Sequence, residues 1–326
     1  MWEGYFKKQQ QIEFIKREFL SHLCQQMELV KCEGPLLTEQ GTGLQDDLSG
    51  TERPVPVKVS ALPEKQYQVV HSLAKWKRQV LADYRAPVGQ GIVVNMTALR
   101  PDEEQLDETH SVFVDQWDWE KVIAEEQRSV EFLKLQVEKI YAALTATETR
   151  FRAIYGGLPI LPKHIVFISS ETLRAEYPDL SAKQRENKIA EKYGAVFIHG
   201  IGAALGDGNK HDERAPDYDD WSTHCEHYGT GLNGDLLVWS PKLKQAIELS
   251  SMGIRVDAKA LKRQLELTEQ THRLDLPWHQ RLVAGDLPFT IGGGIGQSRV
   301  VMLLLQAEHI AQVQCSVWQP GIQEAL

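Results

Sequence analysis

Apolar runs of strand length recur along this chain without a helix after each one, and that irregular alternation limits the fold more than any other feature. The runs are Tyr67 to Val70, Gly91 to Met96, Ser111 to Gln116, His164 to Ser169, Ala195 to His199, Asp235 to Trp239, Glu248 to Val256 and Gln312 to Trp318, with a short strand from Glu28 to Glu33. Helical spacing appears at Ile12, Ile15, Phe19 and Leu23, and again over Leu73 to Ala82, Trp119 to Thr147 and Ser298 to Gln306. Strict strand–helix alternation would indicate a doubly wound parallel sheet; its absence predicts an α+β fold. The Gly/polar stretch from Thr38 to Thr51 predicts a loop. No Pro/Gly/Ser-rich linker divides the chain and no repeat recurs, so residues 1–326 are expected to form a single domain.

A formal net charge of -9 argues against a broad nucleic-acid or membrane surface, while leaving room for a small basic pocket. No long apolar run occurs and Met1-Trp2-Glu3-Gly4 does not begin a signal peptide, so a soluble, cytoplasmic protein is expected. Cys24, Cys32, Cys225 and Cys315 stand far apart without a Cys-x-x-Cys pair, which predicts reduced, buried thiols; Cys315 is expected in an apolar strand. His224-Cys225-Glu226-His227 looks like a metal cluster, but adjacent residues rarely converge on one tetrahedral ion, and a surface or loop cluster is the better reading.

The chemistry begins at Ile291-Gly292-Gly293-Gly294-Ile295-Gly296-Gln297-Ser298-Arg299, ahead of the apolar helix Val300 to Leu305. Read as a glycine-rich turn, it lets a flat ligand lie on bare backbone, and the helix N-terminus favours an anion. Arg299 can lay its guanidinium plane over an aromatic base. The dinucleotide fingerprint fails, because Arg299 stands where its third glycine belongs.

This segment resembles the third signature motif of class II aminoacyl-tRNA synthetases. Phe19-Leu20 through Met27-Glu28-Leu29-Val30 to Gly34-Pro35 is similar to their first motif, and Leu99-Arg100-Pro101 followed by Val114-Asp115-Gln116-Trp117-Asp118-Trp119-Glu120 to their second. His71-Ser72-Leu73-Ala74-Lys75-Trp76-Lys77, Asp235-Leu236-Leu237-Val238 and Glu248 to Arg255 are similar to stretches of the aspartate-specific synthetases. The first helix starts almost at Met1, without their N-terminal anticodon-binding barrel. With Arg214-Ala215-Pro216-Asp217-Tyr218-Asp219-Asp220-Trp221, nearly the whole chain resembles the ammonia-dependent asparagine synthetases, or aspartate–ammonia ligases.

The resemblance implies a mostly antiparallel sheet flanked by helices, in a homodimer. It implies that L-aspartate, ATP and ammonia give L-asparagine, AMP and pyrophosphate through a β-aspartyl adenylate. Arg100 is then the ligand of the α-phosphate and the reacting carboxylate, a task that suits a planar fork. Asp235 and Glu248 are the Mg2+ ligands, and Gly292, Gly294 and Arg299 the adenine side. Lys77 is the partner of the α-carboxylate. Asp46, Asp118 and Asp219 are candidates for the α-ammonium or for ammonia; Asp46 or Asp219 is expected to take the ammonium proton. Gln116 can hydrogen-bond the reacting carboxyl, and Ser72, Ser251 and Arg255 complete the substrate set. Because Trp2 follows Met1, no N-terminal cysteine can hydrolyse glutamine, so free ammonia is the expected donor. A paralogue that passes an aminoacyl group to tRNA or protein, or one that has lost catalysis, is the alternative. No nucleic-acid or membrane partner is expected.

Overall fold

A computed structural model describes residues 2–48, 52–103 and 106–322; the end of the loop expected up to Thr51, and Met1, lie outside them. The chain opens with α1 (Trp2–Met27), β1 (Leu29–Cys32), β2 (Leu37–Glu39), β3 (Pro56–Val57), β4 (Tyr67–Val69), α2 (Ala74–Asp83), β5 (Gly91–Leu99) and β6 (Phe113–Val122). Then come α3 (Val130–Tyr155), β7 (Val166–Ser169), α4 (Ser170–Glu176), α5 (Ala182–Tyr193), β8 (Ala195–His199), β9 (His224–Cys225) and β10 (Gly229–Thr230). The last part holds β11 (Asn233–Ser240), β12 (Gln245–Ile254), α6 (Ala258–Leu267), α7 (Pro277–Val283), β13 (Thr290–Gly296) and α8 (Gln297–Leu305).

Eight strands form one sheet in the order β1-β5-β6-β13-β12-β11-β8-β7. Its five inner pairings are antiparallel, and the pairings at both edges, β1 with β5 and β7 with β8, are parallel. The sheet is therefore mixed, and mostly antiparallel as expected.

Alternation along β6 divides the two faces of this sheet. Trp117 and Trp119 point into the main core with Phe19 and Leu23 of α1, Leu133 and Val137 of α3, and Val300 and Leu304 of α8. Burying each indole contributes about 2–3 kcal/mol. Gln116, Asp118 and Glu120 point the other way, toward the site. Ser129 starts α3 by accepting a hydrogen bond from the Phe132 amide, and Gly156 ends it at φ 78°.

Several expected elements move. The helix expected from Trp119 begins at Val130, because the period-two pattern carries β6 on to Val122. Glu28 lies at φ 57°, so β1 starts after it. Gln312 to Trp318 is not a strand. A short 3-10 turn at Ile310–Gln312 precedes it, and its alternate residues divide into buried Val313 and exposed Cys315 and Val317. Cys315 is thus a surface thiol, and Cys24, Cys32 and Cys225 are only half buried. His224 to His227 forms a small hairpin, with Cys225 paired to Gly229.

The largest correction concerns the glycines. Residues 290–296 are a central strand rather than a turn, and α8 follows directly from Gly296. Gly292 pairs with Glu120 on one side and Gly253 on the other; Gly294 pairs with Asp118 and Ser251. A Cβ on Gly292 would collide with the Glu120 carboxylate, and one on Gly294 with the Gln116 amide. The bare backbone makes room for polar side chains of the neighbouring strand.

Candidate active site

A cavity of about 450 Å³ opens over this polar face of the sheet, a volume in the range of small-molecule and cofactor sites. Asp46, Ser72, Arg100, Gln116, Asp118, Asp219, Glu248, Ser251, Arg255, Gly294 and Arg299 all line it. Their elements are far apart in sequence and meet because one face of β6, β13 and β12 forms the floor.

At one end lies a lattice of buried charges. Arg255, at the end of β12, donates to Glu120 at 2.8 Å and to Asp219 at 2.5 Å. Asp219 reaches it from the loop after Arg214 through an isolated antiparallel bridge between the two residues. Burial pushes the Asp219 carboxyl upward, against the pull of Arg255. Burial works the same way on Glu120, but there Arg255 and Lys77 prevail and hold the carboxyl below its usual value. Lys77, from α2, donates to Asp118 and, at 3.0 Å, to the Trp119 carbonyl. It sits beneath the cavity lining, and burial lowers its pKa despite both carboxylates. Asp118 also accepts from the Leu73 amide at 2.8 Å, tying α2 to the sheet. Asp46 is buried on the cavity rim, where its carboxylate accepts from Ser72 Oγ at 2.6 Å and from the Leu48 amide at 2.9 Å.

The other end is built from arginines. Arg100 follows β5 and, among the described residues, donates only to the His71 carbonyl, at 3.2 Å, leaving a buried Nε without a partner there. Arg299, in the first turn of α8, donates to the carbonyls of Glu248 at 3.0 Å and Thr109 at 3.3 Å. Arg100 thus rests on a neutral oxygen, while Arg299 has the Glu248 carboxylate at 3.9 Å besides its two carbonyls. The N-terminus of α8 is not open to a ligand anion, because Asp115 of β6 accepts from the Ser298 amide at 3.1 Å and pairs with Lys16 at 2.8 Å. Gly292 lies under Glu120 and Arg255 rather than on the cavity surface.

A register shift places the acids. β11 and β12 pair Leu236 with Ser250 but Leu237 with Glu248, so Leu249 is an extra residue. This bulge turns Glu248 and Ser251, three positions apart, to the side of the sheet that Asp235 faces. Asp235 is buried behind the lining and pushed up to about 7, chiefly by burial, with Arg214 opposing and Glu248 adding to the rise.

Arg214 was not expected as a site residue. It lines the cavity and donates to Asp235 at 2.5 Å and to Asp212 at 2.6 Å. Asp217, two residues short of Asp219, is fully buried and accepts from Lys75 at 2.7 Å, His279 at 2.9 Å and Arg273 at 3.0 Å. Both lie in the Arg214–Trp221 stretch, whose dense charge was the available signal.

The comparison with protein families decides the assignment. Residues 6–326 match the family described as aspartate-ammonia ligase. This chain belongs to that family. It is an enzyme, a ligase of aspartate and ammonia, as the sequence implied. Among solved structures it is similar to the asparaginyl-tRNA synthetase of Pyrococcus horikoshii complexed with asparaginyl-adenylate, with a TM-score of 0.70, 12% identity, and coverage of 97% of this chain and 70% of that one. The Entamoeba histolytica asparaginyl-tRNA synthetase in complex with asparaginyl-adenylate gives 0.64 at 13% identity, covering 94% of this chain and 66% of that one. The aspartyl-tRNA synthetase of Entamoeba histolytica gives 0.59 at 15% identity, over 97% of this chain and 58% of that one. The ligase thus has the class II synthetase catalytic fold and spans about two thirds of the first two chains. None of its described helices is long and apolar enough to cross a membrane.

Proposed function

We propose that the cavity converts L-aspartate, ATP and ammonia into L-asparagine, AMP and pyrophosphate through a β-aspartyl adenylate. The observation that carries this reading is the polarity of one cavity. A buried lattice of paired charges at one end suits a zwitterionic amino acid, and the arginines Arg100 and Arg299, held mainly by carbonyl oxygens, at the other suit a nucleotide.

Aspartate enters where Lys77 faces Asp118. Its α-carboxylate takes Lys77, and its α-ammonium takes Asp118, so each protein charge exchanges one partner for another and none is left bare. Arg255, with Ser251 and Ser72, bounds the amino-acid end. The β-carboxylate is then directed to Gln116 and Arg100. Gln116 hydrogen-bonds it without adding charge. Arg100 holds the carboxylate and the α-phosphate in one planar fork, and Arg299 lies against adenine.

A β-carboxylate oxygen attacks the α-phosphorus and pyrophosphate leaves with the bonding pair. Arg100 stabilises charge developing on the phosphate oxygens. Ammonium is not a nucleophile, so a carboxylate must hold it and accept one proton. Asp219 and Asp46 both reach the cavity, and the raised affinity of Asp219 for a proton favours Asp219. Ammonia then attacks the β-carbonyl carbon, and AMP departs.

Asp235 and Glu248 would hold magnesium. The Asp235 Oδ1 atom is buried without a partner, and two carboxylates plus phosphate oxygens are a usual set for this ion. The ion would supply further neutralisation of the phosphate charge. Four free thiols suit a reducing cytoplasm, and a homodimer follows from the likeness of α1 and β1 to the first synthetase motif. ATP–pyrophosphate exchange that requires aspartate tests activation and substrate choice together. Exchange with asparagine but not aspartate, or no exchange, would overturn the proposal. Asparagine release without tRNA separates ligation from aminoacyl transfer.

A further inference from the structure

Arg214 is bound differently from the other cavity arginines. Arg100 rests on a carbonyl oxygen, Arg299 rests on two carbonyls with the half-exposed Glu248 carboxylate at 3.9 Å, and Arg255 is held deep between Glu120 and Asp219. Arg214 alone among these four holds Asp235, at 2.5 Å, and its second partner is the exposed Asp212, at 2.6 Å. Its Nε is buried without a partner. A guanidinium therefore occupies one oxygen of a carboxylate whose other oxygen is unpartnered, beside the Glu248 that lines the same cavity.

We infer that Arg214 is the resting counter-ion of Asp235 and that it transfers to the phosphate tail of ATP when a divalent cation takes the carboxylate. This rests on the reading of Asp235 and Glu248 as metal ligands. Without nucleotide, Asp235, buried just behind the cavity lining and beside the half-exposed Glu248, needs a cation, and Arg214 supplies it. A divalent ion brought near Asp235 repels the guanidinium at close range. The same ion arrives with a polyphosphate, which offers Arg214 new acceptors in planar, charge-assisted geometry. The Asp235 charge is balanced in both arrangements, by Arg214 in one and by the divalent ion in the other. Arg214 is thus a phosphate-binding residue in the loaded enzyme and a barrier to metal in the empty one.

The test measures binding to the full-length protein without turnover. Mn2+ alone is titrated by electron paramagnetic resonance against the wild type, Arg214→Gln, and Arg214→Gln carrying Asp235→Asn. A non-hydrolysable ATP analogue with Mg2+ is titrated by calorimetry against the first two. The inference expects Arg214→Gln to bind Mn2+ about tenfold tighter and the nucleotide about tenfold weaker, and Asp235→Asn to remove the gained Mn2+ affinity. Mn2+ affinity that ignores Arg214 yet depends on Asp235 overturns the inference and keeps the metal reading. Nucleotide affinity unchanged in Arg214→Gln also overturns it. Mn2+ binding indifferent to Asp235 overturns the metal reading itself. Circular dichroism of each variant establishes that it is folded before titration.

Discussion

Glu120 lies directly over Gly292, and its carboxylate occupies the space that a β-carbon on that residue would need. Glu120 cannot move aside, because Arg255 grips it from Nε and Nη2 within the lattice that also holds Asp219. Gly292→Ala is therefore expected to shift the whole lattice, destabilising the protein by about 1–3 kcal/mol and lowering kcat/KM for aspartate by about 100-fold or more. At Gly294 the obstacle is the tip of Gln116, a flexible side chain. Gly294→Ala should cost less stability while reducing kcat, as expected where Gln116 is the proposed partner of the reacting carboxyl. Thermal unfolding and asparagine formation measured side by side check the contrast. Equal effects at both glycines would contradict it.

The pair of Lys77 and Asp118 gives a separate prediction. Removing one buried partner leaves the other uncompensated, at about 3–5 kcal/mol, whereas removing both recovers part of that loss. Lys77→Met should therefore be less stable than Lys77→Met with Asp118→Asn. Neither should recover activity if the pair receives the amino-acid zwitterion. The aspartate KM should rise by about 100-fold or more, with the ATP KM little changed. Urea denaturation and initial rates test the two halves independently. A double variant that regained both stability and aspartate affinity would show that the pair serves the fold alone.

Asp115 joins the end of the cavity proposed for the nucleotide to the core. It accepts from the Ser298 amide at 3.1 Å and from Lys16 at 2.8 Å, and so acts as a borrowed cap for α8, whose own cap position is Gly296. Arg299 is in that first turn. Asp115→Ala should cost about 1–2 kcal/mol, the usual loss of a cap with its dipole interaction. The ATP KM should rise while the aspartate KM changes little. A variant whose two KM values rise in parallel would place the effect elsewhere.

How much of this was legible in the sequence differs by residue. The helical spacing of Ile12, Ile15, Phe19 and Leu23 in α1 was plain, and all four residues are buried. An apolar run over Gly91 to Met96 also marked β5, but in β6 the two tryptophans could pass for the start of a helix. β13 was misread because consecutive glycines carry neither period and look like a turn; only their neighbours Glu120 and Gln116 explain them. The residues expected to act together do meet in one cavity, with Lys77, Asp235 and Gly292 beneath or behind its lining. The bulge at Leu249 had no local signal, since it exists only in the pairing of β12 with β11. Arg214 and Asp217 were quoted within a motif but given no role, because their partners lie in remote segments.

Asp217 links that motif to acid stability. Its fully buried carboxylate holds Lys75 of α2, His279 of α7, and Arg273, which also reaches Asp47 at 2.7 Å. Burial alone would raise its pKa, but Lys75, His279 and Arg273 together outweigh burial and hold the carboxyl far below the carboxylate range. A carboxyl depressed in the folded state contributes stability above its unfolded pKa, near about 4, and that contribution is lost as pH falls from there toward the folded value. Asp217→Asn should thus cost about 3–5 kcal/mol at neutral pH, and the gap between wild type and variant should narrow steadily below about pH 4. Because the cluster clamps the loop of Asp46 and the segment of Asp219, the variant should also raise the aspartate KM. Urea midpoints measured from neutral pH down to about pH 3 resolve the point. A gap independent of pH would mean that the Asp217 charge contributes nothing to stability and that only its shape matters.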